Sequence, residues 1–172
     1  MFVIFIIYRN PQTFGIKCQR KLELKRLSEK HRNNNKKEMY FFETSGRSWL
    51  TPREACSLES ASLKSNLQVN IIFTSSFLDL HDNSTCYLFQ TVPNIHFYTI
   101  KLKDAFEGTP LERIYQRAEF RKSSYRPTHL SDMLRVAIIY KYGGFYSDLD
   151  SITIKAWFRN GYSAQYLVLV YF

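Results

Sequence analysis

MYFFETSGRSWLTPREACSLESASLKSNLQVNIIFT, residues 39–74, reads as strand, helix and strand in immediate succession. MYFFET, 39–44, is a continuous apolar and aromatic run, the pattern of a strand buried on both faces, and it ends at Thr44, Ser45 and Gly46. Thr51-Pro52-Arg53-Glu54 is a capping box with proline at the first helical position. It opens a helix that carries Ala55, Leu58 and Ser62 along one side to about Lys64. VNIIFT, 69–74, is the second buried strand. Two strands joined through a helix with short connections make a right-handed βαβ unit, hence a parallel pair whose ligands bind beyond the carboxyl ends of the strands. Thr44, Ser45, Thr74 and Ser75 are expected at that rim, and the class is α/β with a mostly parallel central sheet.

Downstream, Pro93 precedes NIHFYTI, a third strand, and Thr109-Pro110-Leu111-Glu112 repeats the capping pattern before a short helix with Leu111, Ile114 and Tyr115. THLSDMLRVAIIYKY, 128–142, is helical: Leu130, Met133, Leu134, Ala137 and Ile138 fall at i, i+3, i+4, i+7 and i+8, a core stripe. Asp132 and Arg135, three apart, share a neighbouring face. Gly143 and Gly144 end the helix, and FYSD and SITIK follow as short extended segments. NGYSAQYLVLVYF turns at Asn160-Gly161 into a very apolar last strand.

The pair Asp148 and Asp150 sits straight after the glycines. In an extended segment both carboxylates point to one side while Leu149 points into the core. Like charges so close need a cation, a donor network or open water. A divalent ion such as Mn²⁺ or Mg²⁺ takes one or two carboxylates together with diphosphate oxygens, so two aspartates at a strand end suffice when the substrate brings the rest. The glycine and terminal glutamate of an EF-hand loop are missing, which argues against calcium. Asp132 and Arg135 offer the same rim a carboxylate for hydroxyls and a guanidinium for phosphate; the plainer reading of the two is a surface i,i+3 ion pair.

Upstream of residue 39 the character changes. The chain of 172 residues is 45% apolar and carries a formal charge of +9, but residues 1–40 hold ten Lys/Arg against three Asp/Glu. The basicity belongs to the leader, so the folded part is not expected to bind nucleic acid. MFVIFIIY at the start is too short to cross a bilayer, which takes about 20 residues. The readings of 1–38 are a basic leader or stem, a clipped signal anchor, or a nucleic-acid arm. Residues 39–172 are expected to be the folded domain. Cys18, Cys56 and Cys86 show no CxxC spacing, which speaks against zinc and allows one disulfide, with Cys56 and Cys86 the pair inside the folded part. Asn83-Ser84-Thr85 is a glycosylation sequon in a polar loop, relevant only in a secretory compartment.

Taken in order, FFETS, PREACSLESA, LSDMLR, YKYGGFYSDLD and SITIK resemble the DXD-containing glycosyltransferases typified by lactosylceramide 4-alpha-galactosyltransferase and alpha-1,4-N-acetylglucosaminyltransferase. The resemblance covers about residues 40–172 and implies a nucleotide-diphospho-sugar transferase fold, GT-A-like and Rossmann-like. It implies Mn²⁺ or Mg²⁺ as cofactor, and transfer of galactose or N-acetylglucosamine from a UDP-sugar, with retention, to a glycolipid or glycan acceptor of the lactosylceramide kind. It also implies a type II protein of the Golgi membrane facing the lumen, membrane-associated at full length. Carried onto matching positions, Asp150 is the principal metal ligand and Asp148 contacts the metal shell or the nucleotide sugar. Asp132 and Arg135 bind the donor hexose and its phosphates. Phe42, Glu43 and Thr44 flank the uridine, and Tyr146 lies near the base or ribose. Family members continue well past the point where this chain stops, 22 residues after Asp150. The chain is therefore expected to be the donor-binding part of an enzyme truncated at its C-terminus, or a truncated, non-catalytic sugar-nucleotide-binding or interaction protein. No catalytic base is read from the sequence.

Overall fold

The computed structural model describes residues 18, 21–30, 37–81, 83–117, 125–159 and 162–168. Nine strands and five helices follow one another along these residues: β1 (Lys21–Glu23), β2 (Lys25–Arg26), β3 (Glu38–Glu43), α1 (Pro52–Ser65), β4 (Gln68–Phe73), β5 (Phe77–Asp79), α2 (Asn83–Thr91), β6 (Ile95–Thr99), α3 (Leu102–Phe106), α4 (Glu112–Arg117), α5 (Arg126–Tyr142), β7 (Phe145–Tyr146), β8 (Ile152–Arg159) and β9 (Tyr162–Val168). The central sheet has the order β2-β6-β4-β3-β7, with every pairing parallel. The expected α/β architecture with a mostly parallel sheet is what the chain forms.

The apolar runs of β3 and β4 are continuous because both faces of the sheet are covered. Met39 and Phe41 of β3 and Val69, Ile71 and Phe73 of β4 pack on one side with Leu58 and Ala61 of α1 and Leu88 of α2. The intervening Tyr40, Phe42 and Ile72 pack on the other with Leu130, Leu134, Ala137 and Ile138 of α5. Period-two alternation thus distributes one run between two layers, and each fully buried Leu, Ile or Phe contributes about 1.5–3 kcal/mol. The capping box is present in both halves: Glu54 N–H donates to Thr51 Oγ1 at 3.3 Å, and Thr51 N–H to Glu54 Oε2 at 2.8 Å. Of the α5 stripe, only Met133 is partly rather than fully buried.

Four expectations change. Residues 21–30, read as leader, join the fold: β1 runs antiparallel to β5, β2 extends the central sheet along β6, and Leu24 and Leu27 are core. The spacing of Leu22, Leu24 and Leu27 is hidden among charged residues, of which Lys21, Lys25 and Arg26 stay exposed while Leu24 and Leu27 turn inward. The apolar start 1–8 lies outside the described residues, as do most of the leader's remaining basic residues. The disulfide joins Cys18 to Cys86, with a Cα–Cα distance of 6.0 Å, and Cys56 is the free thiol. Cys18 and Leu22 pack against the same core cluster as Leu78 of β5 and Leu88 of α2, which brings Cys86 within reach of residue 18. The sequon is not in a loop but opens α2, with Ser84 and Thr85 buried; Thr85 Oγ1 accepts the Leu50 N–H at 2.8 Å. Last, Asp148 to Ser151 form a turn rather than an extended run. Ser151 N–H donates to the Asp148 carbonyl at 3.3 Å, and Ser151 Oγ donates to it at 2.7 Å.

The glycine pair sets where that turn begins. Gly143 ends α5 with φ +70° and ψ −160°, and Gly144 follows with φ +87°. A Cβ on Gly144 would stand 2.6 Å from the Glu38 carbonyl oxygen and 3.0 Å from the Tyr40 ring. Only glycine lets the chain leave α5 flat against β3 and enter β7 there. After the turn, β8 and β9 pair as an antiparallel hairpin, the expected turn at Asn160-Gly161 lying outside the described residues. β8 starts against α1, where the Thr153 N–H donates to Ser60 Oγ at 3.0 Å.

Candidate active site

The carboxyl ends of β3 and β7 and the N-terminus of α1 converge on a cavity of about 530 Å³. Phe42 and Glu43 line it from β3, Thr44 from just beyond the strand, and Asp148 and Asp150 from the turn after β7. Five of the expected site residues are therefore brought to one cavity. The turn achieves what an extended strand was expected to do: both aspartates are solvent-facing, while Leu149 between them packs on the core. The backbone of the turn is pinned from below. Ser57 Oγ of α1 donates to the Asp148 carbonyl at 3.4 Å, and Ser147 and Ser151 hydroxyls pair at 2.8 Å.

Asp132, Arg135 and Tyr146 do not line the cavity; they form a cluster beside it that meets it at Asp148. The Arg135 guanidinium pairs with Asp132, lies 4.0 Å from Asp148 Oδ1, and sits over the Tyr146 ring with its carbon 4.6 Å from the centroid. Tyr146 stacks on Phe42 at 5.5 Å, and its hydroxyl donates to Asp148 Oδ1 and lies 3.2 Å from Ser131 Oγ. Burial, then the hydrogen bond to Asp148, push the Tyr146 phenol up to about 12, so it remains a neutral donor at physiological pH. Arg135 Nε is buried and has no hydrogen-bond partner among the described residues. The i,i+3 ion pair and the approach to the rim are both present, so the two readings of Asp132 and Arg135 are not exclusive.

A second network was not legible as a site. Arg47, in the loop after β3, donates from Nη1 to Glu54 Oε2 at 3.2 Å and from Nη2 to Glu54 Oε1 at 2.6 Å. Its Nε and Nη2 also lie 3.3 Å from Glu43 Oε1. Ser45 donates to the same oxygen through its N–H at 3.2 Å and through its hydroxyl. The Glu43 side chain is only 2% exposed, and its Oε2 has no partner among the described residues. Arg47 and Arg53 also face the cavity. The signal available was an arginine three residues past a strand end; TPRE read as a helix cap only, although Glu54 serves both.

Among the described residues no group of three or more His, Cys, Asp or Glu side chains is arranged to hold a metal ion. Asp148 and Asp150 are two, exposed and on open cavity wall. That donor set does not fit an all-protein cage, and it fits Mn²⁺ or Mg²⁺ shared with the oxygens of a diphosphate.

A family model described as glycosyltransferase sugar-binding region containing DXD motif matches residues 19–168. Lactosylceramide 4-alpha-galactosyltransferase of Mus musculus is 33% identical over 121 residues, 68% of this chain and 34% of that protein. Alpha-1,4-N-acetylglucosaminyltransferase of Homo sapiens is 30% identical over 128 residues, 71% of this chain and 38% of its own length. Among solved structures, PaToxG glycosyltransferase superposes with a TM-score of 0.48 at 20% identity, covering 70% of this chain and 44% of that one. The chain spans about a third of the length of the curated relatives it matches.

Proposed function

We propose, from the premise that this chain belongs to the family of glycosyltransferases whose sugar-binding region contains a DXD motif, that it binds a UDP-hexose in the cavity at the ends of β3 and β7. It is the donor-binding part of a retaining hexosyltransferase. The observation that carries this reading is the convergence of Asp148 and Asp150 with Glu43 and Thr44 on one cavity at the carboxyl edge of a parallel sheet. Asp148 and Asp150 would hold a divalent ion, which would supply positive charge against the diphosphate.

The chain's own residues do the rest. Arg135, beside Asp148 at 4.0 Å, brings a guanidinium toward the diphosphate, where developing negative charge is stabilised. Asp132, held by Arg135, offers a carboxylate to the hexose hydroxyls. Tyr146 orients Asp148 by donating to Oδ1. Phe42, Glu43 and Thr44 receive the nucleoside, and the Thr44 hydroxyl anchors the end of β3 to α5 through the Pro127 carbonyl at 2.9 Å. The acceptor is a glycolipid or glycan; the mouse relative's name gives lactosylceramide for that protein, and the human relative's name gives only the transferred sugar and its linkage. The Cys18–Cys86 disulfide supports a compartment that is oxidising, consistent with the Golgi lumen and a membrane-associated full-length protein. No helix among the described residues is long and apolar enough to cross a membrane.

Titration calorimetry tests the reading. UDP is expected to bind in the presence of Mn²⁺ or Mg²⁺ and at least tenfold more weakly without it, and Asp150→Asn is expected to remove the dependence. Equal UDP affinity with and without metal refutes it.

A further inference from the structure

Asn83-Ser84-Thr85 is the one Asn-x-Ser/Thr triplet in the sequence, and Cys86 follows it directly. The folded chain hides the part of the triplet that a modifying enzyme must read. Asn83 is the first residue of α2, but Ser84 and Thr85 are only 4% and 0% exposed, and Thr85 Oγ1 accepts the Leu50 N–H at 2.8 Å. The requirement for Ser or Thr at the third position means that the acceptor is read through that hydroxyl as well as through its amide. Thr85 therefore has to leave Leu50 before an enzyme can take hold, and Leu88 of the same helix has to leave the core with it. The disulfide closes the same route, because Cys86 is tied across 68 residues to Cys18. Asn83 and Cys86 are three residues apart, about 10 Å at full extension. Once Cys86 is bonded, the acceptor cannot move farther than that from a cross-link around which a large enzyme would have to close.

We propose that Asn83 is an N-glycosylation site open only while the chain is unfolded, and that glycan transfer competes with formation of the Cys18–Cys86 bond. This goes beyond the donor-binding reading and rests only on its oxidising, lumenal compartment. In the transfer, the Asn83 amide nitrogen bonds to the anomeric carbon of the first sugar of a lipid-diphosphate-linked oligosaccharide. The bond from that carbon to the diphosphate oxygen breaks, the lipid diphosphate leaves, and the amide gives up one proton. In the competing step the Cys18 and Cys86 thiols give two electrons and two protons to a disulfide-bearing oxidoreductase of the same compartment, which leaves as its dithiol. The transfer does not consume the Thr85 hydroxyl. That hydroxyl returns to Leu50 afterwards, so a chain modified first still docks α2 and closes its disulfide, whereas a chain bonded first is shut out. The molecule thus emerges in two forms of one fold, with and without the glycan, in proportions set by which step comes first.

The experiment presents the full chain, made unmodified in bacteria, to a purified oligosaccharyltransferase and its lipid-linked oligosaccharide, once folded with the disulfide closed and once reduced and unfolded. A short peptide containing Asn-Ser-Thr reports the activity of the enzyme in each reaction, and mass spectrometry locates the glycan. The unfolded chain is expected to be modified at Asn83, and the folded chain about tenfold or more slowly, because it reacts only through local opening of α2. Thr85→Val, measured on the unfolded chain where its effect on folding does not matter, is expected to remain unmodified. In eukaryotic cells, with the chain sent to the secretory lumen by a cleavable leader, a fraction of the molecules is expected to carry the glycan together with the Cys18–Cys86 bond. Cys18→Ser, or dithiothreitol during a pulse label, is expected to raise that fraction. Equal rates for the folded and unfolded chain, an unfolded chain left unmodified while the peptide reacts, or a cellular fraction that neither treatment raises overturns the proposal. UDP binding is measured on the unmodified bacterial chain, so none of these outcomes bears on the donor-binding reading, and a failure of UDP binding leaves the glycan result standing.

Discussion

Gly144→Ala is the substitution whose consequence can be worked most directly from the structure. The new Cβ meets the Glu38 carbonyl oxygen at 2.6 Å and the Tyr40 ring at 3.0 Å, and the residue would keep φ +87°. Neither neighbour yields easily, since one is strand backbone and the other a fully buried ring. Backbone strain at such a φ costs about 1–3 kcal/mol. Displacing packed neighbours adds about 1–3 kcal/mol, giving about 2–6 kcal/mol together. Gly143→Ala is the built-in control: φ is +70° with ψ −160°, a region reserved to glycine, but no atom lies within 4 Å of its Cβ. It bears the strain without the collision. In urea unfolding followed by circular dichroism, with a slope of about 2 kcal/mol per molar, Gly144→Ala is expected to lower the midpoint by about 1–3 M, and Gly143→Ala by less. UDP affinity should fall with Gly144→Ala, because β7 must shift and carries Asp148 with it. Equal midpoints for the two variants would refute the claim that β7 is pressed onto the start of β3.

Reduction of the Cys18–Cys86 disulfide, which spans 68 residues, is expected to cost up to about 4 kcal/mol by loop-closure entropy, read as a lower urea midpoint in dithiothreitol; an unchanged midpoint contradicts the docking of residue 18. The Tyr146 phenol, pushed up to about 12, favours the native state while neutral. Its contribution is complete below the ordinary tyrosine range near 10 and is lost as pH rises through the native value. The difference in ultraviolet titration between wild type and Tyr146→Phe should show one phenol ionising late, and an ordinary midpoint refutes the burial argument. Arg135→Ala removes a half-exposed ion pair and is expected to cost under about 1 kcal/mol in stability while weakening UDP-hexose binding at least tenfold. A large drop in melting temperature with unchanged binding would make Arg135 a structural residue instead.

What could be read from the sequence follows physical locality. β3, α1 and β4 are visible because their signals are contained in short windows: an apolar run, Thr51-Pro52-Arg53-Glu54, and a second apolar run. β1 and β2 are not, because strands of three and two residues exist only through partners far away in sequence, Phe77–Asp79 and Tyr98–Thr99. The partner of Cys86 is hidden for the same reason, since from sequence only Cys56 and Cys86 lie inside the folded part, whereas the bond is made with Cys18. The aspartate pair is legible beside its glycines, whereas its turn depends on the Ser151 hydroxyl returning to the Asp148 carbonyl. The Glu43–Arg47–Glu54 network escaped because a capping glutamate already has a complete local explanation, and nothing in spacing announces its second partner.

The parallel pairing of Lys25–Arg26 with Tyr98–Thr99 has a consequence for the order of assembly. The partners of the earliest described part of the chain to leave a ribosome follow it at a distance: β5 for β1, Cys86 for Cys18, and last β6 for β2. The βαβ unit of residues 38–73 can close on itself meanwhile, since its contacts are nearer in sequence. The segment synthesised first is thus the one docked late, and its lysine-rich surface keeps its leucines soluble during the delay.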